Sequence, residues 1–177
     1  MNTSESRRHG VLVTVASGHG STREIARVIA DTLTGKGIDV DIVPPDAVDS
    51  IADYDAVVLG SAVYTGHWLM PARDFVARFR DELAARSVWL FSSGPVGDPS
   101  RKLVQSMEQD PVEIAGIRRD IQPLDHRVFA GRLDPQLLRL PQRASLLVFR
   151  GMRGDFRDWA QIRQWADGIA ADLQIAA

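Results

Sequence analysis

Short apolar segments alternate with helix-like segments along the whole chain, and this alternation restricts the fold more than any other feature. The apolar segments predict five strands, which are Gly10–Ala16, Ile38–Val43, Ala56–Gly60, Ser87–Ser92 and Arg127–Ala130. The first, third and fourth are almost continuously apolar, as is typical of parallel strands buried on both faces. Strands joined by helices over short connections form right-handed crossovers. We therefore expect an α/β fold, a three-layer, doubly wound sheet of five parallel strands.

Three amphipathic helices are predicted between and after these strands. The first runs from Thr22 to Thr34, the second begins near Pro71, and the third runs from about Asp158 to Leu173. Apolar residues recur every three or four positions in each, which places them on one face. These stripes are Ile25, Ile29 and Leu33; Phe75, Phe79 and Leu83; and Trp159, Ile162, Ala166, Ile169 and Leu173. Asp98-Pro99 and Asp110-Pro111 each predict an N-cap followed by a proline that opens a helix.

Length and composition bound the organisation of the chain. A length of 177 residues fits a single domain over residues 10–177, with the polar residues 1–9 as a flexible N-terminal tail. The net charge of −2 argues against a nucleic-acid partner. The absence of cysteine excludes disulfides, thiolate catalysis and cysteine-ligated metals. No apolar run approaches the roughly 20 residues of a membrane-spanning helix, and the N-terminus lacks a signal-peptide core, so we expect a cytoplasmic protein.

The connection between the first strand and the first helix predicts a phosphate-binding loop. The loop consists of Ser17, Gly18, His19, Gly20, Ser21 and Thr22. Backbone N–H groups at a helix start have no intrahelical partner and lie at the positive end of the helix dipole, so they favour a bound anion. The three hydroxyls add donors, and the two glycines let the backbone approach closely. His19 and the following Arg23 add positive charge.

Spacing excludes three other motifs of layered α/β proteins. The P-loop ends in Gly-Lys-Ser/Thr, which this loop lacks. The dinucleotide-binding fingerprint requires a small residue at the position of Arg23, whose bulk obstructs packing of the helix on the strand. A phospho-receiver domain requires acidic residues where the first and third strands end, and this chain has Ala16-Ser17 and Gly60-Ser61 there. The loop therefore favours a terminal phosphate monoester held by neutral donors.

The loop resembles the signature of the flavodoxin family. That signature has a hydroxyl residue, a small residue, a threonine, an alanine and an aliphatic residue in a fixed order, and Ser17, Gly20, Thr22, Ala26 and Ile29 match it. Two preceding positions depart from the signature, because Thr14 and Val15 replace an aliphatic and an aromatic residue. The resemblance implies a bound FMN and the strand order 2-1-3-4-5.

In flavodoxin-like proteins the loops after the third and fourth strands enclose the isoalloxazine ring, since an open α/β sheet binds its ligand at this edge. The resemblance therefore adds ten residues to the predicted FMN site: Ala62, Val63, Tyr64, Thr65 and Gly66, and Ser93, Gly94, Pro95, Val96 and Gly97. Tyr64 is the first candidate for stacking on the ring. Trp68 is the second, with a structural role over the following helix as its alternative. No residue pair indicates acid–base catalysis, so the catalytic residues stay unidentified, and no metal is predicted.

Within this family the chain is most similar to the menaquinone-dependent protoporphyrinogen oxidase group. The matching segments are Thr22-Arg23-Glu24-Ile25-Ala26, the loop with Tyr64, Gly66 and His67, Phe129-Ala130-Gly131, the excursion after the fifth strand, and Asp155 to Trp159. The loop from Ser92 to Asp98 departs from the enteric enzymes of that group. The similarity implies an FMN-dependent dehydrogenase that passes electrons to a quinone or a protein redox partner. It also implies a tetrapyrrole substrate, and related flavin-quinone enzymes form homodimers. A non-enzymatic flavodoxin electron carrier is the alternative, although the small net charge argues against the acidic rim of such carriers.

An arginine- and leucine-rich excursion over about 131–153 separates the fifth strand from the last helix. One interpretation is that its leucines fold back on the core while its arginines face water. The other is a basic, apolar docking surface for a quinone, a protein or the inner face of a membrane, where contact would be peripheral.

Overall fold

A computed structural model of the chain describes residues 10–94, 110–133 and 154–176. Within them, five parallel strands form the main sheet: β1 (Gly10–Ala16), β2 (Val40–Ile42), β3 (Tyr54–Tyr64), β5 (Ser87–Ser93) and β6 (Asp125–Phe129). A short strand, β4 (His67–Trp68), pairs antiparallel with the end of β3. The parallel strands lie in the order β2-β1-β3-β5-β6. The predicted α/β sheet with strand order 2-1-3-4-5 is confirmed.

Helices cover both faces of this sheet. They are α1 (Ser21–Gly35), α2 (Met70–Arg78), α3 (Arg80–Ala84), α4 (Val112–Ile121) and α5 (Trp159–Ala176), and a 3-10 turn spans Pro45–Ala47. A separate antiparallel pair joins β7 (Arg132–Leu133) to β8 (Gly154–Asp155).

The core consists of two apolar layers, one on each face of the sheet. Because side chains alternate along a strand, Val13 of β1 packs in the layer with α1 and α5, whereas Leu12 packs in the layer with α2, α3 and α4. Burying a large apolar side chain contributes about 1.5–3 kcal/mol to folding. Thr14, where the flavodoxin signature has an aliphatic residue, has a buried hydroxyl with no hydrogen-bond partner among the described residues.

Several predicted boundaries were wrong. β3 runs to Tyr64 rather than Gly60, because Ser61 and Ala62 pair in register with Ala16 of β1 and Ser93 of β5. The segment from Ala62 to Tyr64 is therefore strand and not loop. β2 is shorter than expected at three residues, and β6 begins at Asp125.

The helices differ from the predictions in two respects and agree in one. One predicted helix is divided into α2 and α3, α4 lacks its predicted N-cap, and α5 begins where it was expected. The helix after Pro71 is divided at Phe79, whose ψ of 19° ends α2, although Phe75, Phe79 and Leu83 are all buried as predicted. Asp110 does not cap α4, because Pro111 occupies the N-cap position and Asp110 forms an ion pair with Arg118 instead. The Asp158 carboxylate accepts hydrogen bonds from the amides of residues 160 and 161, which confirms the predicted start of α5.

The N-terminal tail, Asp98-Pro99 and most of the excursion lie outside the described residues, so those predictions stay untested. No helix in the described part of the chain is long and apolar enough to cross a membrane.

Candidate functional site

Residues 17–22 connect β1 to α1 at the carboxyl edge of the sheet, and they present unpaired backbone donors there. Gly20 precedes the helix with φ of 87°, a left-handed conformation that glycine adopts without strain. Its amide donates to the Ser17 hydroxyl at 3.0 Å, which closes the turn, and its carbonyl accepts from the Glu24 amide at 3.0 Å. Among the described residues, the amides of positions 21–23 have no acceptor. Unpaired amides at a helix N-terminus favour an anion.

Hydroxyl groups complete this set of donors. Thr22 is buried, Ser17 and Ser21 are half-buried, and within the described segments the Ser21 and Thr22 hydroxyls have no hydrogen-bond partner. His19 and Arg23 are exposed beside them. The predicted loop residues are therefore together at one helix start, where a dianionic phosphate monoester fits the donors available.

Tyr64, the predicted stacking residue, lies against this loop. A Cβ placed on Gly18 would be 3.0 Å from the Tyr64 hydroxyl, so a larger residue there would require the phenol to shift by a few tenths of an ångström. The ring centroids of Tyr64 and His19 are 6.2 Å apart in an edge-on arrangement. Partial burial raises the pKa of the Tyr64 hydroxyl, which keeps it a neutral donor at physiological pH. The Tyr64 ring therefore forms one face of the candidate site, next to the predicted phosphate loop of residues 17–22.

A tight turn at Thr65 and Gly66 joins β3 to β4. Both residues have positive φ, 50° and 80°, as a two-residue hairpin turn requires. This conformation is uncommon for a β-branched residue, and such strain concentrates at functional sites. The predicted residues Ala62 to Gly66 therefore form the end of a strand and a hairpin turn, not an open loop.

The first turn of α4 holds this hairpin in place. The Gly66 carbonyl accepts from the Val112 amide at 3.0 Å, and Glu113 accepts from the His67 ring at 2.8 Å and the Trp68 amide at 3.1 Å. Burial raises the pKa of Glu113, but the hydrogen bonds from His67 and Trp68 outweigh it and lower the pKa overall. Glu113 is therefore an ionised anchor for the hairpin.

The third predicted segment is only partly described. Ser93 is buried at the end of β5, and the Gly94 amide donates to the Phe129 carbonyl of β6 at 3.0 Å. The Gly94 N–H is thus used within the sheet and is not left for a ligand. Pro95, Val96 and Gly97 lie outside the described residues.

The Trp68 side chain is part of the apolar core. Its side chain is 1% exposed, packs in the layer with α2, and donates from Nε1 to the Ser92 hydroxyl at 2.8 Å. A ring buried in this way cannot stack on a cofactor. Tyr64 is therefore the better of the two stacking candidates.

A buried polar chain continues from Ser92 to the surface. Ser92 Oγ lies 2.9 Å from His126 Nε2, and His126 Nδ1 lies 3.2 Å from the Asp110 carboxylate, which also pairs with Arg118. The Ser92 hydroxyl is buried beneath Trp68, so this Ser–His–Asp sequence has no accessible nucleophile. The chain instead ties β4, β5, β6 and the start of α4 together.

The buried His126 predicts a pH dependence of stability. Desolvation lowers its pKa below the ordinary value of about 6.5, outweighing Asp110 and Asp125, which favour the charged form, while Arg118 disfavours it. Below about pH 6.5 the unfolded chain then binds a proton that the folded chain does not. We expect the free energy of unfolding to fall between pH 7 and pH 5, by at most about 1.4 kcal/mol per pH unit from this residue.

Urea denaturation at both pH values checks this expectation. His126→Gln should show a shallower dependence than the natural chain, and His19→Gln, an exposed histidine, should retain the natural slope. Parallel curves for the natural chain and His126→Gln would contradict the assignment.

Three residues of this region were missed from sequence: Glu113, His126 and Arg157. Each acts through partners that are far away in the chain, as for His67 and Glu113, which are 46 positions apart. Of these three, Arg157 alone could have been noticed from the sequence, because it lies in the Asp155–Trp159 segment that resembles the protoporphyrinogen oxidase group. In the described ranges, no group of three or more histidine, aspartate and glutamate side chains could hold a metal ion.

Comparison with solved structures finds relatives that share the fold. The rubredoxin oxygen:oxidoreductase of Desulfovibrio gigas superposes with a TM-score of 0.59 at 17% identity, covering 95% of this chain but 37% of its own. A flavodoxin from the domain Archaea gives 0.55 at 17% identity, covering 93% of this chain and 99% of its own. The flavodoxin of Streptococcus pneumonia TIGR4 gives 0.54 at 19% identity, with 92% and 98% covered.

Comparison with curated protein sequences gives no match. Comparison with models of protein families matches the flavodoxin domain over residues 12–159. This match contains the phosphate loop, the hairpin and all five parallel strands except the first two residues of β1. The chain therefore belongs to the flavodoxin-domain family.

Proposed function

We propose that this protein binds FMN and transfers electrons through it. The observation that carries the proposal is the start of α1, where the amides of residues 21–23 and the hydroxyls of Ser21 and Thr22 converge without partners among the described residues. A phosphate monoester supplies the acceptors that these donors lack. Family membership and the flavodoxin relatives support the same ligand.

The residues present define how the cofactor would be held. The loop 17–22 would bind its phosphate, and Tyr64 and the turn at Thr65-Gly66 would border the ring, while Ser93 and Gly94 lie at the end of the neighbouring strand. When bound, FMN supplies one- and two-electron redox chemistry, and the protein contributes orientation and electrostatics. Reconstitution of the purified chain with FMN, followed by absorption and fluorescence, tests the proposal. A protein that takes up no FMN at micromolar concentrations would overturn it.

The finer proposal is an FMN-dependent dehydrogenase that delivers electrons to a quinone. Its support is the similarity of the segments 22–26 and 64–67 to the protoporphyrinogen oxidase group, with a tetrapyrrole as the implied substrate. The second candidate, an electron carrier, is favoured by the named flavodoxins, which this chain matches over 98–99% of their length.

Stopped-flow oxidation distinguishes these two candidates. Photoreduced FMN-loaded protein should be reoxidised by a soluble menaquinone analogue faster than by cytochrome c if the acceptor is a quinone. The reverse order, together with no oxidation of protoporphyrinogen, would favour the carrier.

Thr22 provides a direct test of the phosphate contact. Thr22→Val keeps the shape of the side chain but removes its donor, so we expect FMN to bind about 1–3 kcal/mol more weakly. The measurement is fluorescence titration with FMN and with riboflavin, which lacks the phosphate. Riboflavin affinity should not change, and Thr34→Val, an exposed threonine at the far end of α1, should bind FMN normally. Equal FMN affinity for Thr22→Val and the natural chain would show that the phosphate lies elsewhere.

A further inference from the structure

Arg157 is a buried arginine just before α5, and each part of its guanidinium has a partner. The side chain is 2% exposed. Nε and one terminal nitrogen donate to the Asp155 carboxylate at 2.7 and 2.6 Å. The other terminal nitrogen donates to the Glu24 carboxylate at 2.7 Å and to the Ser21 carbonyl at 3.2 Å. Charge-assisted hydrogen bonds of this kind are about twice as strong as neutral ones.

The partners on α1 belong to the phosphate loop or border it. Ser21 is the first residue of the helix, and Glu24 lies in the same turn. The guanidinium also lies 4.4 Å over the Trp159 ring at the start of α5, which fixes its orientation. A residue 133 positions beyond Glu24 in sequence thus fastens the start of α1 to the start of α5.

The same segment also borders the end of β5 at Gly94, in the third predicted segment of the site. The Phe156 amide donates to the Gly131 carbonyl at 3.3 Å, and a Cβ on Gly131 would be 3.7 Å from Gly94. Residues 155–157 therefore connect the start of α1 with the strand ends near Gly94. They contact the start of α1 and Gly131, which lie in or beside two parts of the predicted FMN site.

Glu24 gives this arrangement an electrostatic consequence. Its carboxylate is in the first turn of α1, where a free negative charge would compete with a dianionic phosphate for the helix N-terminus. The ion pair with Arg157, which Glu24 shares with Asp155, offsets part of the charge of Glu24 and holds its carboxylate toward the start of α5. Arg157 is too deeply buried to contact a ligand itself, so it acts through Ser21 and Glu24.

We propose that Arg157 is a positioning residue of the phosphate loop, which orients the start of α1 and offsets part of the charge of Glu24 so that the site selects the phosphorylated flavin. The inference rests on the proposed binding of FMN. It assigns the preference for FMN over riboflavin to a residue outside the loop that contacts the phosphate.

The experiment compares FMN and riboflavin affinities for the natural chain, Arg157→Met and Arg157→Lys. We expect Arg157→Met to weaken FMN binding by roughly tenfold, the scale of one charge-assisted hydrogen bond, and to change riboflavin binding less than about twofold. Arg157→Lys keeps the charge but cannot reach all three partners, so its loss of FMN preference should be intermediate. Arg163→Met is the matched control, because Arg163 is an exposed arginine of α5 that bonds only within its own helix among the described residues.

A double variant tests the ion pair. Arg157→Met with Glu24→Gln removes the unpaired carboxylate, and it should recover most of the lost FMN affinity. A variant that lost FMN and riboflavin affinity equally would show a general structural role and overturn the proposal. An unchanged preference for FMN over riboflavin in both Arg157 variants would also overturn the proposal. If Arg157→Met does not fold, the FMN and riboflavin affinities of Arg157→Lys decide. If the natural chain itself does not bind FMN, the proposed function fails as well. If the natural chain binds FMN and the Arg157 variants keep its preference for FMN, only the role of Arg157 fails.

Discussion

Ser21→Asp is expected to abolish FMN binding while it stabilises the protein without ligand. Position 21 is the first residue of α1, where a carboxylate interacts favourably with the helix dipole and contributes about 0.3–1 kcal/mol to folding. The same carboxylate would lie at the proposed place of the phosphate and repel it, by about 4 kcal/mol for unit charges about 4 Å apart near a protein surface. FMN affinity should therefore fall by at least about a hundredfold.

Two measurements with opposite signs make this prediction specific. Isothermal titration with FMN gives the loss of affinity, and urea denaturation of the ligand-free protein gives the gain in stability. Ser50→Asp is the matched control, since it introduces the same charge on the exposed loop before β3, at the other edge of the sheet. Tight FMN binding by Ser21→Asp would place the phosphate away from α1. A loss of stability would show that position 21 does not lie at the start of the helix.

Gly60→Ala is expected to cause the largest loss of stability, about 3 kcal/mol or more, because the new methyl group overlaps an aromatic ring. A Cβ at Gly60 would lie 2.1 Å from the far ring carbon of Phe91, its registered neighbour on β5. That ring cannot move away freely, because it packs against Phe129 and Trp165 with centroids 6.1 Å apart in both pairs. The free energy of unfolding from denaturant titration checks the effect.

A second-site change and an opposite control sharpen the test. Phe91→Leu removes the ring atoms that clash, so the double variant with Gly60→Ala should be more stable than the sum of the two single changes predicts. Gly168→Ala lies in α5 with open space around its Cβ, and the better helix propensity should stabilise the protein by about 0.5–1 kcal/mol. An additive double variant would contradict the overlap between Gly60 and Phe91.

The parallel sheet was predictable because its signal is local. Continuous apolar segments mark β1, β3 and β5, and the strand–loop–helix pattern around Ser17 to Thr22 predicts an anion-binding turn from residue type and spacing alone. The extension of β3 was not predictable in this way. Gly60 and Ser61 are typical of a turn, but Gly60 is small because Phe91 crosses it, and pairing with two neighbouring strands overrides the local preference.

The supporting residues of the site depend on distant contacts. Nothing near Glu113 in sequence indicates that it anchors a hairpin 45 residues earlier, and nothing near His126 indicates that a serine 34 residues earlier lies against its ring. The partners of Arg157 on α1 are even further away, at 133 and 136 positions. A single sequence carries the identity of such residues but not their pairing.

The buried chain from Trp68 to Asp110 also constrains the pairing of β4 with β3. An indole N–H can only donate, so the Ser92 hydroxyl accepts from Trp68 Nε1 at 2.8 Å, and it lies 2.9 Å from His126 Nε2. His126 Nδ1 in turn lies 3.2 Å from the Asp110 carboxylate and 3.4 Å from the Arg118 guanidinium, so the chain reaches the surface near the start of α4. Sliding β4 by one residue along β3 would separate the Trp68 indole N–H from Ser92 and leave it buried without this acceptor, so the hydrogen bond fixes the register of β4 beneath the turn at Thr65 and Gly66.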